Sequence, residues 1–255
     1  MTGGGRGGHA PRFVLFDYGN TLVPYGRREA ALMDGVVAET TARWIPGLDP
    51  GAFRAEVRAV KERLIRGTRE SDREVTNVGF AGALAEAAGA AALPAGMAED
   101  LAASVEEAFP AALRLPTTVL PVLEALGKRF RLGLLSNYYL PGAIHRSLGV
   151  FGIREHLAAA VVSAETGWVK PHRGAFDPVL EALGAAPADC IFIGDNLRAD
   201  VGGAAALGMR TVHTREWLEG ALGLDAEDSV NGGRPDFVIE RLADLPALLD
   251  AAWPA

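Results

Sequence analysis

The 255 residues carry a formal net charge of −7, with 25 Lys and Arg set against 32 Asp and Glu, and 49% of them are hydrophobic. That composition excludes a disordered or fibrous chain. The acidic balance excludes the basic footprint that binding to nucleic acid or to an anionic membrane surface requires.

Residues 1–11 are Gly-rich and lack the hydrophobic region of a signal peptide, so a flexible leader is expected there. A short apolar run at 12–16 predicts a buried strand ending abruptly at Asp17. Between Pro24 and Leu115 no strand pattern occurs. Ala, Glu and Arg at helical spacing predict four helices instead, at 27–44, 50–66, 71–88 and 96–109, punctuated by Pro46, Gly47, Pro50, Gly67 and Pro94. Further strands are predicted at 131–136, 160–163, 190–194, 209–213 and 236–239, and helices at 119–128, 142–148, 174–183, 199–207 and 242–251. Strands and helices alternating in this way predict right-handed βαβ crossovers and a parallel sheet covered on both faces. The expected organisation is an α/β core over 12–23 and 116–255 with an α-helical cap inserted over 24–115. An insertion at that point can close over the strand ends and exclude water. No apolar stretch approaches the length of a membrane span. Cys190, the single cysteine, lies in a predicted strand and reads as a buried core thiol, and the expected location is the cytoplasm.

The polar residues at the strand ends form a coherent chemical set. The first strand ends in Asp17, followed by Thr21; the second ends in Ser136 and Asn137. Lys170 precedes Pro171 in the loop after the third, and the fourth runs through Gly194 into Asp195, with Asp200 five positions on. In a parallel sheet these loops emerge at one edge, where residues distant in sequence can meet. Two or three carboxylates without thiolates or clustered imidazoles suit a hard cation such as Mg²⁺. A lysine with Ser and Thr hydroxyls can hold the non-bridging oxygens of a phosphoryl group, whose transfer needs mainly positioning and charge neutralisation. A carboxylate that is itself the nucleophile would pass through an aspartyl-phosphate. Taken singly, each residue reads as a turn, a cap or a solvated side chain. Their joint order, each after its own buried strand, favours chemistry.

These motifs resemble those of the haloacid dehalogenase superfamily: Asp17 to Thr21, Ser136, Lys170-Pro171, and Gly194-Asp195 with Asp200, in the family's order. The resemblance implies a Rossmann-like core with a type-one helical cap. It also implies Mg²⁺-dependent hydrolysis of a small phosphorylated metabolite chosen by the cap. Asp17 would be the nucleophile and a metal ligand, alongside the backbone carbonyl of Gly19 and the carboxylate of Asp195. Ser136, Asn137, Lys170 and Thr21 would bind substrate, with Ser136 and Lys170 also catalytic. Asp200 would support the metal shell or Lys170.

Gly19 departs from the pattern, because phosphatases of the superfamily carry there a second acid that protonates the leaving oxygen and then activates water. General acid–base assistance contributes about 10²–10⁴ in rate. Three readings follow. The chain is a phosphatase in which another group moves the proton, as in members with a D-x-G-N motif. Or it performs chemistry needing no leaving-group acid. Dehalogenases of the superfamily do so but lack the acidic pair present here as Asp195 and Asp200, and phosphonate hydrolases use a Schiff-base lysine from the cap. Or catalysis is lost and the chain binds a ligand or a partner. Lys61 is the only lysine in the cap interval; amid Arg54, Arg58, Arg63 and Arg66 it reads as part of a solvated face.

The remaining candidates are modest. His172, beside Lys170-Pro171, reads as a surface loop histidine rather than a substrate contact; His145, His156 and His213 lack metal-ligand spacing to one another, and no G-x-G-x-x-G follows a strand. Gly202-Gly203 suggests close helix packing. Tyr138, Tyr139 and Trp168 flank the expected site, and Tyr25, Arg27 and Arg28 lie where the cap leaves the core.

Overall fold

A computed structural model describes residues 10–217 and 232–254, so all but the end of the expected leader lies outside the described residues. Six strands form one parallel sheet: β1 (Phe13–Phe16), β2 (Arg131–Ser136), β3 (Ala159–Val162), β4 (Cys190–Gly194), β5 (Arg210–Thr214) and β6 (Phe237–Ile239), in the spatial order β3-β2-β1-β4-β5-β6. The chain builds outward from β1 in one direction and then returns to build in the other. That reversal opens a crevice beyond the carboxyl end of β1. Phe16 pairs with Leu134 on one side and Ile193 on the other, and Asp17 therefore emerges between the ends of β2 and β4.

Alternation along β1 divides the core. Phe13 and Leu15 face a cluster with Phe176, Val179 and Leu183 of helix α8 (Arg173–Leu183), while Val14 and Phe16 face the opposite cluster. That second cluster includes α5 (Val119–Gly127), α6 (Pro141–Val150) and α10 (Leu245–Ala252). It continues without a break into the four helices between β1 and α5. They are α1 (Arg27–Trp44), α2 (Pro50–Ser71), α3 (Asn77–Ala87) and α4 (Met97–Ala112). Both faces are apolar, which accounts for the unbroken hydrophobic strand sequences.

Several boundaries differ from expectation for local reasons. The helix expected at 71–88 starts only at Asn77, because α2 runs on to Ser71 and Asp72 closes it in the left-handed region, with φ of 53°. Asp is among the few residues that tolerate that conformation. Thr76 then caps α3 by accepting from the Gly79 amide at 3.0 Å. The short helix α7 (Ser163–Thr166) takes over at Ser163, which was expected to end β3. The expected helix at 199–207 is a π-helical turn, Leu197–Gly202, followed by the short α9 (Gly203–Ala206). Such wide turns recur at functional sites.

Gly203 bears out the expectation of close packing. A Cβ there would meet Pro171 Cα and Phe176 Cζ, both at 2.9 Å. Gly203→Ala is expected to destabilise the fold by about 1–3 kcal/mol, as overpacking of a close contact does. A urea titration would reveal it as a lowered midpoint with an unchanged slope.

Candidate active site at the carboxyl edge of the sheet

Asp17, Asp195 and Asp200 each offer a carboxylate oxygen, and these oxygens lie within 4.8 Å of one another. Different local devices bring them together. Asp17 leaves β1 with its amide donating to the Ile193 carbonyl at 2.9 Å. Asn196 caps the π-helical turn, its side chain accepting from the Arg198 and Ala199 amides, and this turn carries Asp200 back towards Asp195. Asp200 Oδ2 accepts from the Asn196 amide at 3.0 Å. His213, buried on β5, lies 2.9 Å through Nε2 from the Asp195 carbonyl oxygen and steadies that loop from behind. Close approach is built in at Gly194 as well, where a Cβ would overlap the Asp200 carboxylate at 2.2 Å.

Lys170 ties the cluster to the end of β2. It is 2% exposed, and its Nζ donates to Asp17 Oδ1 at 2.6 Å and to the Leu135 carbonyl at 2.9 Å. Asp200 Oδ1 forms a buried ion pair with the same nitrogen at 2.8 Å, so one ammonium bridges two of the three carboxylates. Asn137 positions the lysine through its side chain, donating to the Lys170 carbonyl at 3.1 Å and accepting from the Lys170 amide at 2.9 Å. The peptide that follows, Lys170-Pro171, is cis.

Electrostatics here follow from burial. Asp17 titrates at about 6: loss of water raises it most, Lys170 draws it back, and the neighbouring Asp200 raises it further. Burial pushes the Lys170 ammonium down, but the two carboxylates outweigh this and lift it to about 12. The ammonium charge is retained while three carboxylates share one small volume. An all-oxygen donor set of this kind fits a hard divalent cation, with Asp17, Asp195 and Asp200 as the side chains that would hold it.

The cluster opens into a cavity of about 910 Å³, and Gly19, Ser136 and Asn137 lie on its wall with the acids and Lys170. Thr21 does not: it is fully buried, its hydroxyl has no hydrogen-bond partner among the described residues, and it is not among the cavity-lining residues. Tyr25, Arg27, Tyr138 and Tyr139 line the cavity, whereas Trp168 and His172 stack on each other at 3.7 Å away from it.

Two residues of the helical interval join the cavity without having stood out in the sequence. Glu74, in the loop between α2 and α3, is held by the Ser163 hydroxyl, and burial raises its carboxyl above the ordinary range. Asp34 is 3% exposed on α1 and binds Lys61 at 2.8 Å. Lys61 is thus not on a solvated face. Its side chain is 19% exposed and lines the cavity, because Asp34 draws it inward across the α1–α2 contact.

A family profile for haloacid dehalogenase-like hydrolases matches residues 11–208. The chain belongs to that family. Among named relatives, a phosphoserine phosphatase of Thermus thermophilus is 34% identical over 105 residues, covering 41% of this chain and 39% of that protein. The pyrophosphatase PpaX of Bacillus pumilus is 27% identical over 135 residues, covering 52% of this chain and 59% of the relative. The chain therefore matches less than two thirds of the length of either relative. A 2-haloacid dehalogenase from Pseudomonas syringae pv. Tomato superposes with a TM-score of 0.67 at 20% identity, covering 95% of this chain and 99% of the other. That last likeness is one of fold, and this haloacid dehalogenase-like hydrolase shares its architecture with enzymes of differing chemistry. Its own residues have to distinguish among them.

Proposed function

We propose that the chain is a Mg²⁺-dependent phosphatase of a small phosphate monoester. One observation carries the reading: a buried lysine and three convergent carboxylates stand at the sheet's switch point, facing a cavity. Asp17 Oδ is the nucleophile. It attacks phosphorus, the P–O bond to the leaving alcohol breaks, and the aspartyl-phosphate so formed is hydrolysed by water. Lys170 and Ser136 hold the phosphoryl oxygens, and Lys170 also keeps Asp17 oriented through the 2.6 Å hydrogen bond. Asp17, the Gly19 carbonyl, Asp195 and Asp200 form the metal site. A bound Mg²⁺ would neutralise charge on the phosphoryl oxygens during transfer. The α1–α4 helices act as the cap, walling the cavity above the strand ends.

Asp195 and Asp200 favour this reading over dehalogenation, which has no need of a metal-binding acidic pair. Phosphate release from aryl and alkyl monoesters, with Mg²⁺ and again with a chelator, tests the proposal. Turnover should require the cation. With no acid at Gly19, the rate should fall steeply as the leaving group worsens. Absence of Mg²⁺-dependent release from every ester would sink the phosphatase reading.

A further inference from the structure

The cavity far exceeds what a phosphoryl group needs; at about 910 Å³ it has the capacity of a pocket for a drug-sized organic ligand. Two features of its wall describe what that ligand should be. Aromatic rings form a continuous surface: Tyr138 lies 5.0 Å from both Phe109 and Tyr139, and Tyr139 lies 4.6 Å from Phe80. These rings come from α3, α4 and the loop after β2, so the wall is assembled by the helical insertion and the sheet together. The second feature is charge. On the α1–α2 wall, Asp34 receives Lys61 at 2.8 Å on Oδ1 and Arg58 at 3.5 Å on Oδ2. Two cations thus meet one anion, and the cluster keeps a net positive charge beside the cavity. An ammonium has three N–H donors, and the contact with Asp34 takes one of Lys61's.

We propose that the substrate is a phosphate monoester whose alcohol carries a largely apolar frame and a second anionic group, a carboxylate, received by Lys61 and Arg58. The inference rests on the phosphatase reading and adds the substrate class to it. Phosphoryl group, frame and carboxylate would meet the strand-end cluster, the aromatic wall and the Lys61 ammonium respectively. Asp34 serves as a positioning residue, holding Lys61 inward and keeping its proton in place against the burial that draws its pKa down.

The test uses the full-length protein with Mg²⁺ and two inert probes, 4-carboxybenzylphosphonate and benzylphosphonate, whose C–P bonds remove the need for turnover. Calorimetry should find the carboxylated probe about tenfold tighter, the scale of a close interfacial charge pair. In the triple variant Asp34→Asn/Arg58→Ala/Lys61→Met, which removes both cations together with their shared anion, the ratio of the two affinities should collapse to near unity. Arg58→Ala alone, at an exposed side chain, should lower the ratio in part and keeps the test alive if the triple variant does not fold. Equal binding of both probes by the native protein would overturn the proposal, as would an undiminished ratio in the triple variant. Borohydride trapping of an aldehyde on Lys61 would also overturn it, by making Lys61 a nucleophile. Phosphate release from hydrolysable esters is scored separately. No turnover with the affinity ratio intact sinks the phosphatase reading and upholds the carboxylate pocket; turnover with a ratio of unity does the reverse.

Discussion

Asp17→Asn should abolish Mg²⁺-dependent phosphate release, by roughly 10⁴-fold or more, the scale seen when a covalent nucleophile is removed. The same variant should stay folded. Asparagine matches aspartate in shape and removes a charge that burial and Asp200 together oppose. The raised value of about 6 means that folding favours the protonated form of Asp17. An acid whose pKa rises on folding adds stability that is fully present below its unfolded value, near 3.8, and is lost as the pH climbs through the folded value. Without a divalent cation, the native protein should therefore lose melting temperature between about pH 4 and 6, and Asp17→Asn should flatten that part of the profile. Thermal melts across this window with a chelator present test the electrostatic account, while the assay tests the nucleophile. Residual activity close to native would remove Asp17 from the chemistry.

Much of this site was legible because its members are anchored by strands. A four-residue apolar run that stops at a carboxylate has few alternatives to a buried strand, and β1 and β4 both read that way. Each of Asp17, Ser136 and Asp195 is fixed by the strand it terminates. What the sequence hid depends on partners distant in the chain. Lys61 among arginines at helical spacing has the pattern of a solvated face; only Asp34, 27 residues earlier and on another helix, turns it inward. Glu74 resembles any loop acid until Ser163, 89 residues later, takes its carboxylate. The same applies to Asn137. It was expected to bind substrate, and the structure adds the side-chain clamp on Lys170, which no local pattern signals. Thr21 failed differently. Its motif position pointed to substrate, yet the turn after β1, with Asn20 at φ 52°, leaves its side chain buried off the cavity.

Gly19→Asp should accelerate the enzyme on poor leaving groups by about 10²-fold or more, the lower end of what a positioned general acid contributes. The room exists. Gly19 lines the cavity two residues after Asp17, its φ lies outside the left-handed region, and a Cβ there would meet only Tyr25 Cβ, at 4.0 Å. That is ordinary van der Waals contact, so glycine is not a steric necessity at this position. A new carboxyl at this position would share the cavity with Asp17, within reach of a leaving oxygen that needs a proton. The gain should be small for p-nitrophenyl phosphate, whose leaving group departs without help, and grow through phenyl to alkyl phosphates. A plot of log rate against leaving-group pKa should therefore be shallower in the variant than in the native enzyme. If the native plot is already shallow and Gly19→Asp adds nothing, another group supplies the proton. Glu74 is then the first side chain to replace, as a cavity carboxyl outside the metal cluster that burial already holds towards its protonated form. Glu74→Gln should steepen the native plot in that case and leave it unchanged in the other.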